Sequence, residues 1–564
     1  MKTKLLVLII LCLSGNIHAQ LQLTLYDEFC FKITPKLFGE GAGNNFIPSG
    51  NGGFIVVGST KQSSIGTKQH HGMPMISTNG DTSWNDDAYI GKMNSDFIAT
   101  NANIYGGTFA YDYNDIFNDI YPQSDGGFVM FGSSGSIDGD IQSPTACGML
   151  LMKVDSNLNP VWSKPYGCAT QCINPVSSYR TNDGGYIMIG VNNGLCGDIP
   201  TFYGLTPFEG DWIIVKTDSM GNKEWAKVKG SSNDEHSAVK ILQDNAGYYY
   251  IIGQLQDGDH DCIPDNANWH TGILTGNDIY IMKLDSLGDK IWTKSYGGSD
   301  VDWVGASYYD SLLNRIIIGG GTRSTDFLFN GMQTFGSFDA IILTIDTTGF
   351  ILNKKIIGGS QVEGINFIQL RPEDHTYVLG INTRSNDGDM TGYCYHGIAY
   401  PDDLFICSVD TQNNFVMKYG LGTDGANNIV NMKYYNGFLY VSAGLSKYTP
   451  CVCDTNTTRE KYVMRKYAFA PLGIIEPIKK YEDIKIYPNP SNGLINIEIP
   501  VEYIEGGNIE ISIHDMQGNV IKEVEKKASI KMSLEIKNGK NGEYIISIEN
   551  KKIQKFSRKI IIHY

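Results

Sequence analysis

A cassette of about sixty residues recurs seven times, with decay, between residues 20 and 470, and no other feature of the chain limits its fold so tightly. Its clearest copy runs Ala246-Gly247-Tyr248-Tyr249-Tyr250-Ile251-Ile252-Gly253, a polar stretch, Asp278-Ile279-Tyr280-Ile281-Met282-Lys283-Leu284-Asp285, and then Lys290-Ile291-Trp292-Thr293-Lys294-Ser295-Tyr296-Gly297-Gly298. A repeated unit of this size is a supersecondary module that buries its apolar side only against its neighbours. Short runs rich in β-branched and aromatic residues read as four strands, a to d: Glu235 to Asp244, Gly247 to Gln254, Asp278 to Asp285 and Lys290 to Gly297. Turns such as Ser124-Asp125-Gly126 and Asn182-Asp183-Gly184 join a to b, and Asp155-Ser156-Asn157, Asp218-Ser219-Met220-Gly221 and Asp285-Ser286-Leu287-Gly288 join c to d. Their Gly and Asn residues supply the positive φ that tight hairpins between twisted strands demand.

Strand b occurs seven times, at Gly53 to Thr60, Gly127 to Ser134, Gly185 to Asn192, Gly247 to Gln254, Asn314 to Gly321, His375 to Asn382 and Gly437 to Gly444. Four-stranded antiparallel units repeated side by side are propeller blades, so the expected class is all-β, a seven-bladed β-propeller. The last strand c, Lys461 to Ala468, is followed by Ala470-Pro471-Leu472-Gly473 and no strand d. Phe31 to Phe38 reads as an unmatched strand d. Placed beside the last strand c, it closes the ring and leaves no open sheet edge.

Tyr105, Tyr166 and Tyr296, each before a glycine, and Trp162, Trp225 and Trp292 recur at one position per unit. Recurrence assigns them to packing between blades rather than to a carbohydrate platform. Asp285, Gly288 and Trp292 follow the order of a sialidase Asp-box, but their spacing is longer and the same pattern serves as a hairpin in every unit, so no sialidase is read.

The 60 acidic against 45 basic residues give a net charge of -15, and the excess lies almost wholly before Glu476. An acidic body is a poor partner for nucleic acid or an anionic membrane, whereas cations, neutral glycans and peptides remain open. Met1 to Ala19 has Lys2 and Lys4, an apolar run from Leu5 to Leu13 and a small residue before Gln20, as a secretory signal peptide does. Cys12 follows Leu11, not the small residue a lipoprotein signal wants, and the run is too short to span a bilayer. The other cysteines, Cys30, Cys147, Cys168, Cys172, Cys196, Cys262, Cys394, Cys407, Cys451 and Cys453, read as disulfide formers in an exported chain, with connectivity open.

From Ile484 onward the composition changes to Lys, Ile and Glu with little Gly, and runs such as Ile495 to Ile499, Ile509 to Ile513 and Tyr544 to Ile548 alternate as strands of a small Ig-like β-sandwich. Tyr487-Pro488-Asn489-Pro490-Ser491-Asn492-Gly493, Asp515-Met516-Gln517-Gly518, Asn541-Gly542-Glu543-Tyr544 and Lys559-Ile560-Ile561-Ile562 make this tail resemble the type A C-terminal sorting domain of type IX secretion cargo of Bacteroidota. The large domain resembles the repeat propellers found in such cargo. The resemblance implies recognition by the type IX translocon and its sorting peptidase, and a secreted or cell-surface address. The expected organisation is a signal peptide at 1–19, a propeller at 20–473, a linker at 474–483 and the sorting domain at 484–564.

Rigid scaffolds carry recognition on their long loops, and here those lie between strands b and c. Within them Asp138-Gly139-Asp140, Asp257-Gly258-Asp259 and Asp387-Gly388-Asp389 alternate carboxylates around Gly, a pattern that converges on calcium. The stretch from Asp257 to Asn266 resembles one thrombospondin type 3 calcium repeat, which implies Asp257, Asp259, Asp261 and Asp265 as ligands; it departs from that repeat by His260 and by standing alone. His70, His71, His260, His270 and His396 show no nucleophile motif or metal spacing and read as loop histidines. Arg323 and Arg384 hold matching places in neighbouring units, as repeat ancestry or an anionic ligand requires. The expected function is binding of an extracellular glycan or protein by the long-loop end, with no catalytic residue assigned. The alternatives are a polysaccharide-degrading hydrolase or lyase using acidic loop residues and a structural surface component.

Overall fold

A computed structural model describes residues 21–30, 43–49, 53–60, 64–65, 68–69, 74–76, 82–84, 87–94, 99–107, 114–136, 138–141, 147–168, 173–192, 211–230, 238–255, 263–265, 277–391, 403–421, 427–445, 461–471, 484–499, 508–515, 520–527, 529–536, 541–549 and 556–563. The chain divides into two compact units, Met1–Ile474 and Ile475–Tyr564.

The larger unit consists of seven four-stranded antiparallel sheets, with two short two-stranded ribbons between strands b and c of the first. In chain order the first strands of the sheets are Gly43–Pro48, Ile116–Pro122, Ile173–Arg180, Ala238–Gln243, Asp302–Asp310, Glu363–Arg371 and Asn427–Tyr435. Each is followed by its own strands b, c and d, except in the seventh sheet. There strand c, Lys461–Pro471, pairs antiparallel with Leu21–Cys30, which supplies the missing strand d from the other end of the unit. The expected segment for that place, Phe31 to Phe38, lies outside the described residues, and the strand found there is an earlier one.

Every sheet is apolar on both sides because it packs against two neighbours. Strands b and c such as Phe54–Thr60 and Asp278–Leu284 are buried at every position, so they read as near-continuous apolar runs. The buried side chains form seven clusters in this unit, each shared by two neighbouring sheets. The fourth and fifth sheets meet through Ile252, Ile281, Ile318 and Leu343, and the seventh meets the first through Tyr440, Phe54 and Tyr89. The first strands touch one another in the same order, and the last, Asn427–Tyr435, touches Gly43–Pro48, so the seven sheets close in a cycle. Each first strand also carries a β-bulge near its beginning, for example between Phe117 and Asp119 and between Ile429 and Asn431. An extra residue at that point increases local twist and redirects the side chain that follows.

The smaller unit holds a three-stranded sheet, Lys485–Tyr487, Leu494–Glu498 and Lys531–Glu535, and a four-stranded sheet ordered Val520–Lys527, Asn508–Asp515, Gly542–Glu549, Phe556–Ile562. Alternate residues such as Ile495 and Ile497, Ile509 and Ile511, Ile546 and Ile548 point into one shared core. Val520–Lys527 was invisible to apolar periodicity because its side chains are all exposed or half-exposed.

Candidate functional site

Antiparallel pairing puts the a-to-b and c-to-d turns at one end of each sheet and the b-to-c and d-to-a connections at the other. The c-to-d turns are alike in construction. Asp155 Oδ1 accepts from the backbone N–H of Asn157 and Asn159, both at 2.8 Å, and Asp218, Asp285, Asp346 and Asp410 do the same two and four residues on. The side-chain amide and backbone of Asn159 hold the Asp155 carboxyl below its usual range. Each turn then locks onto the preceding sheet. The Tyr105 hydroxyl donates to Leu158 O at 2.7 Å and the Tyr296 hydroxyl to Gly349 O at 2.7 Å, while Tyr166 makes the same bond to Gly221 O. The rings of Trp162 and Trp225 lie against Gly221 and Gly288, where an added Cβ would come within 3.0 and 2.7 Å of them. The recurrent tyrosines and tryptophans are therefore joints between sheets.

Two of the three Asp-Gly-Asp segments are joints as well. Asp140 N donates to Gly106 O at 3.1 Å and Asp389 N to Gly358 O at 2.8 Å, so Asp138-Gly139-Asp140 and Asp387-Gly388-Asp389 rest on the glycines that end the preceding sheet. Asp326-Phe327-Leu328 does the same without a glycine, Leu328 N donating to Gly297 O. Ile141, Met390 and Phe329, just beyond these segments, are buried and pin them from below. Under each latch lie two buried carboxylates from adjacent sheets, Asp87 with Asp115, Asp278 with Asp302 and Asp339 with Glu363. A Cβ on Gly297 would stand 2.1 Å from Asp278 Oδ1 and 2.6 Å from Asp302 Oδ2, which is why only glycine fits between them. Asp302 accepts from Gly298 N at 2.7 Å and Ser324 Oγ at 3.0 Å; Asp115 accepts from Gly135 N at 3.0 Å and Ser136 Oγ at 2.6 Å. Burial outweighs these donors and pushes Asp115 and Asp302 each up to about 7, and Asp339 and Glu363 upward too.

Of the expected calcium ligands, Asp265 is exposed and tied to strand d of its own sheet. Its backbone N–H donates to Thr293 O at 2.8 Å and its Oδ2 accepts from Thr293 N at 2.9 Å. Asp257, Asp259 and Asp261 lie outside the described residues, as do His70, His71, His260, His270 and His396. No group of three or more His, Cys, Asp and Glu side chains able to hold a metal occurs among the described residues. Arg323 lies 3.7 Å from Asp300 and over the Phe338 ring, a local contact.

What does not repeat lies on the first strands. The residue after the bulge is Asn431 in the seventh sheet, Asn45 in the first, Asp119 in the second, Lys240 in the fourth, then Ala306 and Phe367 in the fifth and sixth. The polar ones link neighbouring sheets. Asn431 Nδ2 donates to Asn45 Oδ1 at 2.9 Å, Asn45 Nδ2 to Asp119 Oδ1 at 3.1 Å, and Ser178 Oγ to Asp119 Oδ2 at 2.8 Å. The Tyr121 hydroxyl joins Ser178 Oγ at 2.7 Å. Lys433, on the seventh first strand, feels both Lys240 and Asp119; burial, then the Lys240 charge, lower its pKa, with Asp119 opposing. This polar belt lies midway along the first strands, with Lys433 opposite Tyr440 toward the a-to-b turn, and carries two amines and one carboxylate inside an acidic body. Counting copies by their apolar strands does not single out these residues; the bulge that orients them is a property of the pairing.

Residues 485–563 match the family described as a secretion system C-terminal sorting domain. The chain carries a type IX sorting tail. It is exported by type IX secretion to the cell surface or extracellular space, and no helix among its described residues is long and apolar enough to cross a membrane. No curated protein matches it. Among solved structures, similarity is found to hydrazine synthase of Kuenenia stuttgartiensis, 12% identical with a TM-score of 0.31 over 58% of this chain and 75% of the other. A Synechocystis apocarotenoid oxygenase is 10% identical, TM-score 0.34, over 92% and 98%. A DUF4221 family member from Bacteroides vulgatus is 10% identical, TM-score 0.32, over 63% and 92%. Similarity at this level carries no argument about activity.

Proposed function

We propose that the exported chain is a seven-bladed propeller, residues 20–473 after a signal peptide at 1–19, whose long-loop end binds an extracellular glycan or protein. A linker at 474–483 joins it to the Ig-like sorting domain at 484–564, the part read by the type IX translocon and its sorting peptidase. One observation carries the binding reading, the inequality of the two ends. The c-to-d turns never exceed five residues, as at 218–222, whereas the b-to-c intervals run from 12 residues at 135–146 to 26 at 61–86. Short turns that share one construction serve the scaffold; length and sequence that vary from sheet to sheet serve a partner. Calcium belongs to this reading at Asp257, Asp259, Asp261 and Asp265, hard oxygen donors of which the last is held in place by Thr293.

The test is a glycan and protein array probed with the mature chain, with and without a chelator. Binding to one ligand class is the expected result. Release of reducing ends from a polysaccharide would move the assignment to the hydrolase or lyase alternative, and silence on both arrays would overturn binding.

A further inference from the structure

Cys147 opens strand c of the second sheet and Cys168 closes strand d of the same sheet, and the pairing register sets the two directly opposite each other. Neighbouring pairs confirm that the ladder is regular there: Gly148 faces Gly167, Met149 faces Tyr166 and Leu150 faces Pro165. Directly opposite residues of an antiparallel pair share one face of the sheet, with Cα atoms about 4.5–5.5 Å apart. That is inside the window of about 4.4–6.8 Å in which two cysteines join without moving the backbone.

We propose that Cys147 and Cys168 form a disulfide in the exported protein. Both thiols lose hydrogen, an S–S bond forms, and the two electrons and two protons pass to an oxidant of the disulfide class, protein or small molecule, which leaves as two thiols. An exported chain meets such oxidants in the compartments it crosses. Sequence spacing alone favours a bridge from Cys168 to Cys172, four residues on; the register favours the partner 21 residues back. The bridge fastens the loop end of the second sheet at the place where the 135–146 interval enters strand c and strand d leaves for the third sheet. It holds the roots of two connections at the proposed binding end while standing independently of any ligand.

Cys407 provides an internal reference, because it is a buried free thiol in strand c of the sixth sheet and burial pushes it up to about 12. The mature chain, purified without reductant, is denatured with N-ethylmaleimide, digested and mapped by mass before and after reduction. The expected result is a linked peptide pair containing Cys147 and Cys168, lighter by two hydrogens than its reduced halves and separated by reductant, with Cys407 capped by maleimide. Maleimide on Cys147 or Cys168 in most molecules, or either one linked to Cys172 or another cysteine, overturns the proposal. In C147S, Cys168 labelling rises from trace to complete if the pair is right and stays low if Cys168 is bonded elsewhere. Should C147S not fold, the wild-type map alone decides.

Discussion

The two ends of the seven-sheet unit are built on opposite principles. At the turn end, five aspartates cap five turns in the same geometry; tyrosines, tryptophans and glycines bind four of them to the preceding sheet, and Arg315 donates to Thr411 O of the fifth. At the loop end, repetition survives only in the latches over the carboxylate pairs and gives way above them to intervals of unequal length. The difference teaches where to look for function: a residue that returns in several sheets holds the cycle together, and the intervals that vary from sheet to sheet are where a partner is to be sought.

The largest effect that would sharpen this contrast is at Gly297. Replacing it with Ala drives a Cβ into Asp278 and Asp302, and we expect a loss of about 3 kcal/mol or more in denaturant unfolding. A loss below about 0.5 kcal/mol would mean the junction yields, and the latch would not be a joint.

Next comes pH. Asp115 and Asp302 have folded pKa values near 7, raised by burial from an unfolded value near 3.8. The folded state therefore binds the extra protons. Their contribution is complete below about pH 4 and is lost as pH rises through 7, a change on the order of a few kcal/mol for each group. D302N, which copies the protonated carboxyl, should raise the midpoint at pH 8 and leave it nearly unchanged at pH 4; equal effects at both would remove the account in which burial keeps Asp302 protonated. The acid side behaves in the opposite sense. Carboxyls such as Asp155, whose pKa is lowered, lose their contribution as pH falls through the folded value.

Smaller effects separate the ends directly. Y296F deletes the hydroxyl bond to Gly349 O and should cost about 1 kcal/mol without altering any ligand affinity, as measured by urea unfolding beside binding. D218A removes two backbone acceptor contacts and should cost a similar amount. The reverse signature belongs to the loops: changing Asp257, Asp259 and Asp261 together to Asn should shift stability by less than about 0.5 kcal/mol while weakening a calcium-dependent ligand. If the loop variant destabilises the chain and Y296F weakens binding, the division between the ends fails.

Much of the scaffold could be read in advance. Apolar runs bounded by Asp, Asn and Gly located strands b to within two residues and the last strand c to within three, since sheets packed on both sides need every position apolar. Recurrence correctly placed Trp162, Trp225 and the tyrosines between sheets. Alternating carboxylates look alike in sequence whether they gather a cation or sit beside a neighbouring sheet; only tertiary structure shows that Asp138-Gly139-Asp140 and Asp387-Gly388-Asp389 rest on Gly106 and Gly358. The belt of Asn45, Asp119, Lys240, Asn431 and Lys433 was missed for a related reason. Its members lie far apart in the chain and gain meaning from bulges and from contacts between first strands.

By itself the sequence determined the class of module, the number of its copies and the export tail, because those depend on periodic burial and local turn chemistry that each copy carries within it. Tertiary structure decided which terminal strand completes the seventh sheet, which carboxylates share a junction, and which cysteines stand opposite each other. Those are relations between distant segments, set by hydrogen-bond register and by the closing of a cycle, and no single cassette contains them.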